Sequence, residues 1–400
     1  MNTISFLRNP IQDYAWGSRT AIQSLLKMPV PGKTPAAELW MGVHPKGPSE
    51  VCVNGEWMSL VNVIEKNPES VLGKKVAERF QNHLPFLFKV LAADRPLSIQ
   101  VHPDLVQAQE GYARENRLGI PLTAAERNYR DPNHKPEALC AVTPFEALKG
   151  FREIEEIVDL METVYIPELE GPLHLLEKKA TPEGLKAFFS GLLQLRGEEK
   201  GRVIHQAVSR AEKHMNRKRE FYWMVELNRE YPGDTGVFAP LIFNLVTLQP
   251  GQAIYIPAGE LHAYLKGVGM EWMANSDNVL RGGLTPKHVD VPELLKIVNF
   301  DSCQSLLIDP EDRGDGERIY PTPAEEFQLS EISVARERSF VSAVDRNVEI
   351  LICMEGEARM EDTAEGFSLK MVSGKSVIVP ACAGSYRIQG EAEFFKATVN

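Results

Sequence analysis

Two kinds of hydrophobic pattern alternate along the 400 residues of the chain. Short runs in which apolar and polar residues alternate, separated by glycine and proline, predict β-strands towards both ends. Between them, apolar residues recur at helical spacing, which predicts α-helices. The pattern therefore predicts a β-rich part over residues 1–148, a helical block over 149–228, and a second β-rich part from residue 229 onward.

The first β-rich part contains both strand and helix signals. Residues 87–91 and 97–102 have the alternation of strands, whereas residues 57–80 have apolar residues at helical spacing. The segment Thr123-Ala-Ala-Glu126 has the form of a capping box, which predicts a helix that begins there. This part is therefore expected to be strand-rich with two helical patches.

The helical block is expected to interrupt a β-domain rather than to follow it. Its helical segments are residues 153–161, 173–179, 184–195 and 203–215. Thr181 provides a side chain that can cap a helix, and Pro182 suits the first helical position. Because strand patterns lie on both sides of the block, we predict one barrel that carries it as an insert.

The second β-rich part repeats a short sequence frame. Its predicted strands are residues 243–248, 253–257, 348–354 and 377–379. Residues 251–262 read G-x5-P-x-G-x2-H and residues 374–385 read G-x5-P-x-C-x2-S, so that Ser385 takes the place of His262. Coincidence between two Gly-turn-strand-Pro segments is one explanation. Duplication of a jelly-roll barrel, which we prefer, is the other.

These patterns predict a mainly β fold with duplicated jelly-roll barrels and an inserted α-helical domain. The predicted domains are a discontinuous first barrel (residues 1–148 and 229–320), a helical insert (149–228) and a second barrel (321–400). Because Ser385 replaces the histidine of the repeated frame, we predict that the second barrel has no metal ligands.

Composition and charge narrow the possible partners. The formal net charge of −11 argues against nucleic acid and anionic membranes, which an acidic surface repels. No run of about 18 apolar residues, the length that spans a bilayer, occurs. The five cysteines are widely spaced without a C-x-x-C pair, and the first residues do not have a signal-peptide pattern. We therefore expect a reducing, cytoplasmic location.

Three segments offer candidate metal ligands. Ser98, Gln100 and His102 share one face of a predicted strand. Glu137 opens an apolar strand, where a carboxylate is costly unless it is paired or bound to a metal. His262 ends the first copy of the repeated frame and is expected to point into the barrel. Exposure of the polar face to solvent would explain the first segment equally well.

Taken together, Gln100, His102, Glu137 and His262 offer two imidazoles, a carboxylate and an amide oxygen. This set suits Zn²⁺ with a position left open for water or substrate. Six further histidines show no comparable pairing, and we interpret them as surface or core residues: His44, His83, His174, His205, His214 and His288.

Long motifs resemble those of the type I phosphomannose isomerases, a family of the cupin superfamily. They are residues 12–18, 37–42 with 44–45, 84–91, 98–104, 129–137, 259–264 and 271–287, and they follow the family's order over nearly the whole chain. The frame that ends at His262 also resembles the second cupin motif, except that Lys266 stands where cupins usually have asparagine.

The resemblance implies a zinc-dependent aldose–ketose isomerase that interconverts mannose 6-phosphate and fructose 6-phosphate through a cis-enediol. It implies one zinc ion per chain, bound by the four residues named above, and two duplicated cupin barrels. The residues to which it gives catalytic roles are Arg281, Lys135, Asp277 and His134, and those to which it gives substrate or phosphate contacts are Lys287, Ser98 and Trp16. The proton-transfer group stays open between Lys135 and Asp277.

Two other functions are compatible with a metal-binding barrel of this kind. An iron-dependent oxygenase is one, but Gln100 and the basic residues Lys135, Arg281 and Lys287 argue against it. A non-catalytic sugar-binding protein is the other, and the complete ligand set argues against it for the first barrel. We expect a monomer that acts on a small sugar phosphate.

Overall fold

The chain folds into two packed β-barrel units and a block of helices. The computed structural model describes residues 1–303, 307–363 and 366–400. The α-helices are α1 (Ala21–Leu25), α2 (Leu60–Lys66), α3 (Pro68–Leu72), α4 (Lys74–Arg79), α5 (Leu105–Arg117), α6 (Ile154–Thr163), α7 (Glu170–Lys178), α8 (Pro182–Gln194), α9 (Gly197–Ala211), α10 (Arg219–Glu230), α11 (Ala239–Ile242) and α12 (Val291–Ile297). Short 3₁₀ helices span Pro167–Leu169 and Thr235–Phe238.

The strands are β1 (Ser5–Arg8), β2 (Ile11–Gln12), β3 (Glu38–Gly42), β4 (Glu50–Val53), β5 (Glu56–Ser59), β6 (Phe86–Ala93), β7 (Ile99–Val101), β8 (Glu137–Ala141), β9 (Phe145–Phe151), β10 (Phe243–Leu248), β11 (Ala253–Ile256), β12 (His262–Ala274), β13 (Leu280–Gly283), β14 (Leu307–Ile308), β15 (Glu311–Asp312), β16 (Glu317–Tyr320), β17 (Gln328–Val334), β18 (Phe340–Val341), β19 (Glu349–Asp362), β20 (Ser368–Val372), β21 (Ser376–Val379) and β22 (Tyr386–Thr398). The predicted mainly β fold with a helical insert is confirmed. Among the described helices, none has the length and apolar character needed to cross a membrane.

The first barrel is organised around the long strand β12. Its neighbours along the main path of the sheet are β6 and β8, and the start of β12 also pairs with β7 and β9. Strand β13 pairs with the other side of β7. Since β7, β8 and β12 meet at one end of this sheet, residues that are far apart in sequence come together there.

Three strands from the first 60 residues pair outside the first barrel. Strand β1 pairs with β21 of the second barrel, and β4 and β5 extend that same sheet. The apolar core also extends across both barrels, since one continuous cluster includes Phe88 and Trp272 of the first barrel and Phe327 and Ile350 of the second. The sequence pattern did not predict this pairing, which joins the two barrels into one packed body.

The helical patch predicted over residues 57–80 is present as α2, α3 and α4 but starts later than expected, and the helix predicted at Thr123 is absent. Trp57 lies in β5, because Asn54 and Gly55 with positive φ turn β4 into β5 as a hairpin, and helix begins only at Leu60. No helix begins at Thr123. The peptide N–H groups of Asn128 and Tyr129 donate to the Glu115 carboxylate at 3.2 and 3.0 Å, which holds this segment in an irregular path.

The helical block is confirmed in type and partly in detail. Thr181 caps α8 as predicted, with its hydroxyl oxygen accepting from the Gly184 N–H at 3.2 Å. Helix α10, which crosses residue 228, was not predicted, although it buries an apolar face that includes Phe221, Trp223 and Met224.

The strand register supports the duplication of the barrel. In the first barrel Ile256, which precedes the proline of the repeated frame, pairs with Glu137. In the second barrel the equivalent Val379 pairs with Glu349, which is also buried. Thus Glu349 occupies the position of Glu137, but the ammonium of Lys396 lies 3.2 Å from its carboxylate. Each carboxylate thus has a lysine partner, Lys135 for Glu137 at 2.8 Å and Lys396 for Glu349, but only Glu137 also faces two imidazoles.

Candidate metal centre and active site

Strand pairing brings the predicted metal ligands together at one end of the first barrel. The Cα atoms of Gln100 on β7 and His262 on β12 are register partners, and Glu137 is the first residue of the neighbouring strand β8. His102 lies directly after β7 and is fully buried. The possible metal-binding atoms of His102, Glu137 and His262 all lie within 4.8 Å of one another.

Both imidazoles present their Nε2 atoms to Glu137. His102 Nε2 lies 3.4 Å from Glu137 Oε1, and His262 Nε2 lies 3.3 Å from Glu137 Oε2. The Nδ1 atoms face main-chain carbonyls, at 2.7 Å for His102 with Asn278 and 3.1 Å for His262 with Glu260. Because a carbonyl only accepts, each Nδ1 carries the hydrogen and each Nε2 lone pair is free for a metal.

The electrostatics favour the deprotonated, ligating forms. Burial alone would raise the pKa of Glu137, but the Lys135 ammonium and His102 outweigh it and hold that pKa well below its usual range. Burial and the charge of Lys135 lower the pKa of His102 to about 4. Within the described part of the chain, the buried His102 Nε2 makes no hydrogen bond. The residues therefore fit a divalent cation such as Zn²⁺.

Gln100 completes the donor set from the edge of the same cavity. Its Nε2 donates to the Ser98 hydroxyl at 3.4 Å, as expected for residues on one face of a strand, so that Oε1 is available as a fourth ligand. Gln100, Glu137 and His262 line the same cavity, and the metal-binding atoms of His102, Glu137 and His262 are grouped beside it. Ser98 itself lines the cavity beside the ligands.

A small cavity of about 80 Å³ borders the metal ligands, and a buried charged cluster forms its far wall. Lys89 on β6 pairs with Glu271 on β12 and lies 3.8 Å from Glu38 Oε1. Burial and the nearby carboxylates of Glu137 and Glu38 raise the pKa of Glu271 despite Lys89. Sequence reasoning missed this cluster, although a lysine inside an otherwise apolar strand was a usable signal.

Lys135 is the predicted catalytic residue that lies closest to the metal ligands. Its Nζ is 2.8 Å from Glu137 Oε1, its side chain is 9% exposed, and it lines the cavity. Trp16, by contrast, packs against an apolar cluster that includes Leu97 and Tyr264, and its ring stacks with Tyr14 at 5.8 Å. Of these two predicted residues, Lys135 lines the cavity and Trp16 does not.

A group of cations without carboxylate partners lies next to the ligands. Arg281 on β13 is the register partner of Gln100. Burial and the neighbouring charge of Arg130 lower the pKa of Arg281, and burial with the charges of Arg281, Arg130 and Lys46 lowers that of Lys287. In the salt bridges found among the described residues, Arg281, Arg130 and Lys287 do not take part. Such a cluster attracts an anion, and sequence reasoning had missed Arg130.

Asp277 lies at the edge of this cation group and not in the cavity lining. Its Oδ1 is 2.9 Å from Lys46 Nζ and 3.4 Å from His44 Nε2. Burial would raise the pKa of Asp277, but hydrogen bonds and charges from His44 and Lys46 hold it well below its usual range. His44, interpreted from sequence as a surface or core histidine, is buried against Trp40 and orients this carboxylate.

His134 faces away from the metal ligands. Its Nε2 lies 2.5 Å from Glu326 Oε1, and both residues line a separate cavity of about 550 Å³. The hydrogen bond that His134 donates to the Glu326 carboxylate raises the pKa of His134. Of the predicted site residues, the structure therefore gathers the ligands, Lys135, Ser98 and the Arg281 group, and it leaves His134 on the opposite side of its loop.

Three models of protein-family domains match successive parts of the chain. The model of the phosphomannose isomerase type I catalytic domain matches residues 4–154, and that of the type I helical insertion domain matches residues 160–243. The model of the mannose-6-phosphate isomerase cupin domain matches residues 317–399. Each of the three segments thus resembles a part of the same kind of protein.

Individual relatives match almost end to end. The mannose-6-phosphate isomerase of Salmonella typhimurium is 44% identical over 378 residues, covering 94% of this chain and 94% of that protein. The Homo sapiens mannose-6-phosphate isomerase is 36% identical over 356 residues, covering 81% and 80%. A crystal structure described as zinc-bound, holo mannose 6-phosphate isomerase has a TM-score of 0.91 and 40% identity, with 100% of both chains covered.

Proposed function

The chain belongs to the type I phosphomannose isomerase family, and we propose that it interconverts mannose 6-phosphate and fructose 6-phosphate with one zinc ion per chain. The observation that carries this proposal is the buried cluster of His102, Glu137 and His262, with Arg281 beside it. A divalent cation next to unpaired cations suits a phosphorylated, polyhydroxylated substrate. These cations also give an anionic substrate a local positive site on a protein whose net charge is −11.

We assign the phosphate to the cation group. Arg281 and Arg130 can each donate several hydrogen bonds from a planar guanidinium, and Lys287 adds a point charge. Burial and then mutual repulsion lower the pKa of Lys287 and Arg281, and a bound phosphate would offset that repulsion. The register pairing of Arg281 with Gln100 supports this assignment, because it puts Arg281 on the strand next to a proposed metal ligand.

The reaction moves a proton between C1 and C2 of the sugar, and in our proposal it passes through a cis-enediol. When bound, zinc supplies a Lewis acid that orients and polarises substrate oxygens without redox chemistry. Lys135, whose Nζ lies in the cavity wall, is the group that we assign to the proton transfer. Asp277 is the alternative, but His44 and Lys46 already engage its carboxylate, so we assign it an orienting role.

The division of labour along the chain follows from where these groups lie. We propose that the discontinuous domain of residues 1–148 and 229–320 performs the chemistry, apart from the strands that join the sheet of the second barrel, since it supplies every assigned ligand and cation. The helical insert, residues 149–228, and the barrel of residues 321–400 would then support it without holding metal. We further propose that the protein is a monomer. The five dispersed cysteines favour a reducing compartment, and we propose the cytoplasm.

Turnover of mannose 6-phosphate, coupled to detection of fructose 6-phosphate, tests the proposal directly. We expect activity to disappear on verified chelation and to return when zinc is added. Activity that survives complete metal removal would refute the zinc mechanism while keeping the isomerase. A folded, zinc-loaded protein that produces no fructose 6-phosphate would refute the function, and oxygen consumption with bound iron would point to an oxygenase instead.

A further inference from the structure

Asn278 is a fully buried amide outside the metal ligands and the cation group, and its side chain binds one loop from both ends. Its Oδ1 accepts hydrogen bonds from the main-chain N–H groups of Arg130, at 2.7 Å, and Asp131, at 3.2 Å. Its Nδ2 donates to the carbonyl oxygens of Asp131 and Asn133, both at 2.8 Å. Donor and acceptor capacity of the amide are therefore both used on residues 130–133.

The neighbouring side chains close the same connection. Asp131 accepts from the Ser276 hydroxyl at 2.8 Å and from the Asp277 main-chain N–H at 2.7 Å. Ser276 also lies 3.2 Å from the Asn133 carbonyl oxygen. Residues 130–133 and 276–278, which are far apart in sequence, are thus held together by a network whose members have defined partners.

Asn278 also reaches the metal site through its main chain. Its carbonyl oxygen lies 2.7 Å from His102 Nδ1 and, as the only acceptor of that pair, fixes which imidazole nitrogen carries the hydrogen. The same residue therefore orients a proposed metal ligand and holds the loop that carries Arg130. That loop continues directly into Lys135 and Glu137.

We propose that Asn278 is a positioning residue that couples the metal ligand His102 to the anion-binding and proton-transfer loop. This inference rests on the proposed isomerase function and adds a residue to it. The chemistry requires that substrate oxygens at the metal and phosphate at the cation group be held at one fixed separation. Asn278 sets that separation because it is hydrogen-bonded to both sides.

The substitution Asn278→Asp tests this assignment with a nearly isosteric side chain. One carboxylate oxygen can still accept from the N–H groups of Arg130 and Asp131. The other replaces a donor and faces the carbonyl oxygens of Asp131 and Asn133, so the loop must move away. We expect kcat/KM for mannose 6-phosphate to fall about tenfold or more, with part of the loss in KM, and zinc to be held more weakly against a competing chelator.

Asn244→Asp is the matched control. Asn244 is also an amide whose Nδ2 faces several main-chain carbonyls, among them those of Lys149 at 3.2 Å and Phe151 at 3.1 Å. It contacts neither the metal ligands nor residues 130–133. We expect this variant to lose thermal stability but to keep the zinc affinity and the kcat/KM of the unaltered protein.

The outcomes separate this inference from the function on which it rests. Activity of the unaltered protein, measured alongside, decides the function. If folded, zinc-loaded Asn278→Asp keeps kcat/KM within about twofold, or if both variants lose activity only in proportion to stability, the positioning role is overturned.

If Asn278→Asp does not fold, Ser276→Ala loosens the same loop without touching His102. We then expect KM to rise about threefold at unchanged zinc affinity, and an unchanged KM would overturn the proposal.

Discussion

Removing the charge of Lys89 should destabilise the first barrel strongly, because its ammonium neutralises a buried pair of carboxylates. The side chains of Lys89, Glu271 and Glu38 are 8%, 3% and 9% exposed. Glu38 also accepts from the Trp40 indole N–H at 2.6 Å, which anchors this side chain in place. In the variant Lys89→Met the apolar stem is retained, but the two carboxylates are left without a counter-charge.

The expected cost is set by burial. Deleting one partner of a buried ion pair costs about 3–5 kcal/mol, whereas loss of an exposed pair costs about 0–1 kcal/mol. The pair of Lys370 and Glu357, at 2.7 Å with both side chains more than half exposed, supplies the control variant Lys370→Met. The free energy of unfolding of the metal-free proteins, from urea titrations followed by circular dichroism, should separate the two variants clearly.

The pH dependence of the stability loss in Lys89→Met provides a second test of this account. The pKa of Glu271 is already raised in the folded protein, by burial and by the nearby carboxylates, and loss of Lys89 raises it further. The folded variant then binds more protons than the unfolded chain, so its stability is greatest at low pH and is lost as pH rises through the folded pKa. We expect the deficit to be larger at about pH 8 than at about pH 5.5. A deficit below about 1 kcal/mol at both values would refute the account, since it would mean that water solvates the cluster.

Four further variants test the site and its support. His262→Ala should lose zinc and turnover together, measured as zinc per chain and as initial rate. Arg281→Ala should keep zinc and lose turnover, and zinc loss in this variant would indicate a structural role for Arg281. Arg130→Met should raise the KM for mannose 6-phosphate about tenfold with a smaller effect on kcat, and an unchanged KM would exclude it from the phosphate site. Glu326→Gln should cost up to about 1 kcal/mol near pH 6 and almost nothing near pH 8.5 in thermal unfolding. The sign follows from the raised pKa of His134, since the stabilisation is present below the unfolded pKa and is lost as pH rises through the folded one; equal losses at both pH values would contradict it.

Local periodicity made much of the fold predictable. Strand and helix differ in the spacing of apolar residues, so the strands around residues 87–91, the helical block and the cap at Thr181 could be predicted from short windows of sequence. The same alternation predicted that Ser98 and Gln100 share a face, and in the structure their side chains are hydrogen-bonded. The types of residue at the site likewise suggested a metal before any geometry was known.

Pairing between distant segments could not be predicted from short windows of sequence. The capping box at Thr123 has the correct local form, yet the carboxylate of Glu115 takes the peptide N–H groups of the segment that follows it. Strand β1 pairs with β21, more than 360 residues away in sequence, although its own pattern names no partner. Local preference is weak compared with a set of tertiary hydrogen bonds, so the packed fold decides these cases.

The sequence by itself determined which chemical groups are available: two histidines, a glutamate and a glutamine as candidate metal ligands, with arginine and lysine as candidates to hold an anion. Only the tertiary structure decided which groups face each other. It directed His134 towards Glu326, placed Lys89 between two buried carboxylates, and used Asn278 to join two loops. Residue type sets what a side chain can donate, accept or ligate, but direction depends on strand register and loop path, which form only when distant parts of the chain pack together.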